Sequence, residues 1–300
     1  MTAFTRYTTT PEVKIITAAL YAQIMSVMGW KRPNWITRGL YPFFMLPVKR
    51  ISRLIGELDR EVPQHGFNPA VKRFLGNFVA GLDLTGQENI PREGPVMVIC
   101  NHPAAYDVAL LAATIPREDL KIIASDIEIV QMLPNIADHV IPVPYHIPSR
   151  LQTVRMAIHH LRDSGAIFLF PRGNVEPDPA VSPGAEDSLS GWSPSIELFL
   201  RNVPQTISVV AAASGVLSAK WFQNPLIKLW KKYEQRQKVA EIFQLATQLM
   251  IGRKPSAIPK ISFSPPLTLD DLGGVAAPEG KILASLTSKE LELLKQHAHV

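Results

Sequence analysis

The sequence predicts an α/β fold: a mixed, largely buried sheet flanked by helices, with an N-terminal helical segment in front of it. Three observations carry this. From about Leu84 onward, short apolar runs alternate with stretches of helical period, as strands and their connecting helices do. The runs are strongly apolar, Pro95-Val96-Met97-Val98-Ile99 being the clearest, which suits strands covered on both faces. The first 80 or so residues hold helical patterns only.

Taken in order, Ile15, Ala18, Ala19, Ala22 and Ser26 share one face of a helix. Residues 34–53 contain Trp35, Leu40, Tyr41, Phe43, Phe44, Met45 and Leu46, but Pro42 and Pro47 are expected to break or kink a helix there. Residues 71–82 give another amphipathic pattern. Strands are expected at 96–100, 121–124, 139–143, 166–170, 206–212 and 260–263, and helices at 108–114, 151–164 and 194–201. Residues 175–191 are rich in Pro, Gly, Asp and Ser, and read as a surface loop long enough to be functional. The pattern divides the chain into a helical segment (1–82), an α/β domain (83–268) and a tail with a short helix (269–300).

Composition narrows the class. With 46% hydrophobic and 19% charged residues among 300, the chain can bury a sizeable core and is not of disordered type. Cys100, the single cysteine, has no partner for an internal disulfide and reads as a buried strand end. A net charge of +5 and a pI near 9.3 suit an anionic membrane surface, a nucleic acid or an acidic substrate without choosing among them. No secretory pattern opens the chain. The uncharged run at 15–30 is interrupted by Thr17, Gln23 and Ser26, short of the ~20 apolar residues of a spanning helix.

The chemistry concentrates after the strand that ends at Cys100, where Asn101-His102-Pro103-Ala104-Ala105-Tyr106-Asp107 leads into a helical pattern. Strand-to-helix junctions of this kind are where α/β proteins place their sites. A carboxylate beside an imidazole fixes its tautomer and stabilises the imidazolium, so the pair activates a hydroxyl for attack on a carbonyl. On spacing alone, the blander alternative is the better reading: Asp107 as a helix N-cap and His102 as a loop histidine. The adjacent His159 and His160 point in different directions on a helix and make no metal-ligand pattern.

Context favours the pair. Residues Leu84-Thr85-Gly86-Gln87-Glu88-Asn89-Ile90-Pro91, then Gly94-Pro95, the strand, and Asn101-His102 with Asp107 resemble the start of the glycerolipid acyltransferase domain. Val140-Ile141-Pro142-Val143 resembles that family's Ile-Pro-Val strand, and Ser164-Gly165-Ala166-Ile167-Phe168-Leu169-Phe170-Pro171-Arg172-Gly173 its second signature. The resemblance spans residues 84–215. It implies His102 as general base and Asp107 as its support. It further implies substrate contacts from Asn101, Arg150, Phe170, Pro171, Arg172 and Gly173. The acyl donor would be acyl-CoA or acyl carrier protein, the acceptor a lipid-type hydroxyl, and neither a metal nor a tightly bound cofactor is expected.

The chain departs from the family where the acceptor's phosphate and glycerol are held. Arg172 replaces a glutamate, Asn174-Val175 stands for Thr-Arg, and Pro144-Tyr145 stands where an arginine often follows the Ile-Pro-Val strand. Two readings stay open: Arg172, helped by Arg150, takes over phosphate binding through bidentate contact, or the acceptor is not a glycerol phosphate at all; Glu176 lies close by as a replacement carboxylate.

A lipid substrate implies peripheral contact with a membrane, expected on its cytosolic face. Within residues 221–250, Leu226, Leu229, Trp230 and Tyr233 follow helical spacing, continued by Val239, Ile242, Phe243, Ala246, Leu249 and Met250, with Lys228, Lys231, Lys232, Arg236 and Lys238 around them; the pattern suits a bilayer surface and equally an ordinary surface helix packed on the core. Met25, Met28, Trp30, Phe43, Phe44 and Met45 form a second apolar candidate. Two other classes stay open: a lipid-binding protein of the same fold without activity, motivated by the altered signature, and a basic nucleic-acid binder, for which no motif or stacking platform is present.

Overall fold

A computed structural model describes residues 11–30, 35–146, 150–251 and 258–297. Within them the strands are β1 (Asp83–Thr85), β2 (Val96–Cys100), β3 (Lys121–Ser125), β4 (Val140–Val143), β5 (Ala166–Leu169), β6 (Ile207–Ser214) and β7 (Lys260–Phe263). They form one sheet in the order β1-β7-β6-β2-β5-β3-β4. Every pairing is parallel except β6 with β7, so the sheet is mixed.

Both faces of the central strands are covered. Val96, Val98 and Cys100 of β2 join Ala166 and Phe168 of β5 on one face. There they pack with α3 (Phe67–Leu75) and α4 (Asp107–Thr114). Met97, Ile99, Ile167 and Leu169 point the other way, onto α7 (Arg150–Arg162), α9 (Ser195–Asn202) and α12 (Lys281–His297). This two-sided burial is why the strands are legible as apolar runs. β1 has only three residues, two of them polar, and is held by β7 from the far end of the chain.

Three departures from expectation have physical causes. First, α2 (Trp35–His65) runs through Pro42 and Pro47 without ending. A proline within a helix costs ~3 kcal/mol. Here α2 packs on α1 (Pro11–Val27), α3 and α11 (Tyr233–Ile251), burying Phe44, Val48 and Val62, and that packing offsets the cost. The side chains of Trp35 and Leu40 lie outside the described residues. Second, α3 stops at Leu75, where Gly76 follows. Third, no single helix spans 221–250. α10 (Ala219–Phe222) is followed by Asn224-Pro225 and a single turn at Ile227–Leu229 before α11 begins. Pro225 cannot donate to a helix, and Asn224 Oδ1 caps the turn by accepting the Leu226 N–H at 2.9 Å.

That break moves the aromatic residues. Phe222 is buried, and Trp221 and Trp230 pack beside it, together with Met25, Met28 and Phe44, in a cluster between α1, α2 and α11. The exposed apolar residues of the region are Leu226 (67%) and Leu229 (73%), among the exposed Lys228, Lys231 and Lys232.

The last residue of α12, His297, is buried between β6 and β7, its Nδ1 2.8 Å from Ser214 Oγ and its Nε2 2.9 Å from Ser262 Oγ. Burial, aided by the Lys260 charge, pushes its pKa down to about 4. The unfolded chain protonates this histidine at the ordinary ~6.5, so the folded state loses stability as pH falls from there toward 4. Chemical denaturation at pH 7.5 and pH 5 should show a loss of about 2 kcal/mol from this residue. The pH difference should shrink by that amount in His297→Gln.

Candidate active site

β2 lies between β5 and β6, and both run parallel to it. The loops leaving their carboxyl ends, 101–106, 170–176 and 215–218, therefore meet at one edge of the sheet, the position α/β folds use for ligands. α11 crosses over them.

Asn101 starts the first loop. Its amide donates to Ala213 O (3.0 Å) and accepts from Ala213 N–H (2.7 Å), and only 1% of the residue is exposed. Asn101 is thus an anchor to β6, not a substrate contact, which corrects the expectation.

His102 Nδ1 lies 3.0 Å from both carboxylate oxygens of the fully buried Asp107. Asp107 Oδ2 also accepts the Ala104 N–H at 3.0 Å. Tyr106, not Asp107, occupies the N-cap of α4. With Nδ1–H donated to Asp107, Nε2 is left as an acceptor, and it has no protein partner among the described residues. Burial by itself lowers the His102 pKa, but the Asp107 carboxylate and its hydrogen bond outweigh it and raise the value. Burial raises Asp107 as well, against the pull of His102. Phe170 stacks on the imidazole, centroids 4.0 Å apart at 13°, fixing the ring plane.

Glu176 supports the same histidine from its backbone. Its Oε2 accepts the His102 N–H (2.8 Å), and its own N–H donates to His102 O (2.7 Å). Oε1 accepts from Ser188 Oγ–H and Trp192 Nε1–H, each at 3.0 Å. This carboxylate is enclosed and is not available to a substrate. Burial raises its pKa against those donors.

Arg172 turns away from the catalytic pair. Its Nη1 donates to Val175 O (2.8 Å) and its Nη2 reaches Glu234 at 3.3 Å. Arg150 is exposed, with one long contact to Pro144 O at 3.4 Å. Pro171 is buried and accepts the Ser193 N–H at 3.1 Å. Of the residues expected to touch substrate, Gly173 alone lines the cavity beside His102; Asn101, Arg150, Phe170, Pro171 and Arg172 do not.

The contribution that sequence patterning did not reveal comes from α11. Gln237 donates to Pro103 O and to Glu176 O (2.7 Å). Glu241 accepts the N–H groups of Ala105 (3.0 Å) and Tyr106 (3.1 Å). Gln244 donates to Val216 O (3.1 Å) and accepts the Ser218 N–H (2.7 Å). Lys238 reaches Asn174 Oδ1 at 3.2 Å. Spaced four and three apart, Gln237, Glu241 and Gln244 share one helix face, with Lys238 beside it. The available signal was polar residues interleaved with Val239, Ala240 and Ile242. Burial lifts the Glu241 carboxyl to about 7, against the two N–H groups it accepts.

His102 opens on a cavity of about 430 Å³. Its far walls are Leu20 and Ile24 of α1, Val48 and Ile51 of α2, and Leu245 and Leu249 of α11; its near end holds His102, Asn174, Lys238 and Glu241. An apolar chain fits the first part, and a polar reacting group the second.

Residues 81–190 match the acyltransferase family model. This segment is an acyltransferase domain. It contains His102, Asp107, Glu176 and the loop around Arg172, whereas α11 lies beyond the matched span. Among solved structures, the chain is similar to the 1-acyl-sn-glycerophosphate (LPA) acyltransferase PlsC from Thermotoga maritima. The TM-score is 0.46 and the identity 14%, over 94% of this chain and 95% of that one. The comparison with curated proteins found no match. Among the described residues, no helix is long and apolar enough to cross a membrane, and no cluster of three His, Cys, Asp or Glu side chains is placed to hold a metal.

Proposed function

We propose that the acyltransferase domain moves a fatty acyl group from a thioester of coenzyme A or acyl carrier protein to a hydroxyl of a lipid-type acceptor. The observation that carries this is the Asp107-bound imidazole of His102, its Nε2 without a partner among the described residues, at the polar end of a mostly apolar cavity. In the reaction, Nε2 accepts the hydroxyl proton while the oxygen attacks the thioester carbonyl. The new C–O ester bond forms, the C–S bond breaks, and the proton passes to the departing thiolate. Asp107 stabilises the imidazolium in between. The acyl chain lies in the apolar part of the cavity.

Release of free thiol from a long-chain acyl-CoA, measured against a panel of hydroxyl acceptors, tests this. Acceptor-dependent release supports the reading; folded protein that releases thiol with neither acyl-CoA nor acyl carrier protein as donor favours a lipid-binding protein instead. Ala246 lines the apolar part of the cavity. Ala246→Phe should shift the preferred donor to shorter chains, and an unchanged chain-length profile would place the acyl chain elsewhere.

Access to a lipid acceptor implies membrane contact. Leu226 and Leu229 with the surrounding lysines suit an anionic bilayer surface. Replacing both leucines by serine should reduce flotation with anionic vesicles, and equal flotation would remove this surface from the account.

A further inference from the structure

Arg172, the cation expected to bind phosphate, is committed to Val175 O and Glu234. The cation that does line the cavity beside His102 is Lys238. It is half-buried, and among the described residues its ammonium makes one hydrogen bond, to the neutral amide oxygen of Asn174 at 3.2 Å. That same oxygen already accepts the Val175 N–H at 3.0 Å. Lys238 forms no ion pair among the described residues. An ammonium has three donors, so two remain for water or a ligand in the cavity. Glu241 lines the same cavity, but both its oxygens are engaged by the Ala105 and Tyr106 amides.

Resting on the acyl-transfer reading, we infer that Lys238, with the Asn174 amide, binds a phosphate group of a substrate and so sets the distance of the reacting centre from His102. The phosphate belongs either to the acceptor headgroup or to the donor's carrier. Lys238 therefore determines specificity without taking part in bond making.

Kinetics of Lys238→Met and Lys238→Arg separate the sources. With lysophosphatidate and acyl-CoA, Lys238→Met should raise the KM of one substrate by about 10- to 100-fold. A rise for lysophosphatidate assigns the acceptor, and a rise for acyl-CoA assigns the donor. With monoacylglycerol and an acyl N-acetylcysteamine thioester, neither of which carries phosphate, kcat/KM should change less than about threefold. Lys238→Arg should recover most of the loss. Equal losses with and without phosphate would overturn the inference, as would no loss at all. If the wild-type protein transfers no acyl group, the acyl-transfer reading fails separately, and binding decides. Stabilisation of the fold by lysophosphatidate or coenzyme A that disappears in Lys238→Met would uphold the phosphate site; stabilisation by neither, or equally in both proteins, would overturn it.

Discussion

Replacing His102 by glutamine is expected to lower kcat/KM for acyl transfer by about 10²- to 10⁴-fold, the usual contribution of a positioned general base. Glutamine keeps a donor for Asp107 but cannot take up a proton. His102→Ala should lose as much rate and also some stability, because the buried Asp107 then loses its imidazole and keeps the Ala104 N–H. The two variants thus separate chemistry from folding. Retention of wild-type rates by the glutamine variant, with acceptor-dependent product formation intact, would remove His102 from the mechanism.

The largest loss of stability is expected at Asp178. This fully buried carboxylate accepts four backbone N–H groups: Ala180 and Gly215 on Oδ1 (3.0 and 2.9 Å), Val216 and Leu217 on Oδ2 (2.9 and 3.0 Å). It ties the loop after β5 to the loop after β6. The same region receives Tyr106 Oη–H at Val216 O (2.5 Å) and Gln244 from α11. Asn has nearly the same volume but turns one acceptor into a donor, leaving two buried N–H groups facing an NH₂. At about 1–3 kcal/mol for each unsatisfied group, Asp178→Asn should cost on the order of 3–5 kcal/mol, measured as a lower urea midpoint at neutral pH. A cost below about 1 kcal/mol would mean that the two loops are held by other contacts.

β2 and β5 were legible because burial on both faces makes each an unbroken apolar run, and β1 was not because three residues carry no such pattern. Prolines 42 and 47 misled because local backbone preference was outweighed by tertiary packing, on the neighbouring α1 and α3 and on α11, which is distant in sequence. His102 and Asp107 were legible because their partnership is local, five positions across one turn, and because flanking segments gave it context. Arg172 was misassigned because its direction is set by Glu234, some 60 residues further on. The role of α11 was hidden for the same reason. Gln237 and Glu241 bond main-chain atoms near residue 105, and no helical period distinguishes them from solvated side chains.

The most direct test of the His102–Asp107 assignment is the pH dependence of kcat/KM for acyl transfer, in wild type and Asp107→Asn. The carboxylate holds the His102 pKa above its ordinary ~6.5, so the wild-type acid limb should bend above that value. In Asp107→Asn the rate should fall and the acid limb should move to lower pH. The same limb in both proteins, or one unaffected by the substitution while activity persists, would contradict the account.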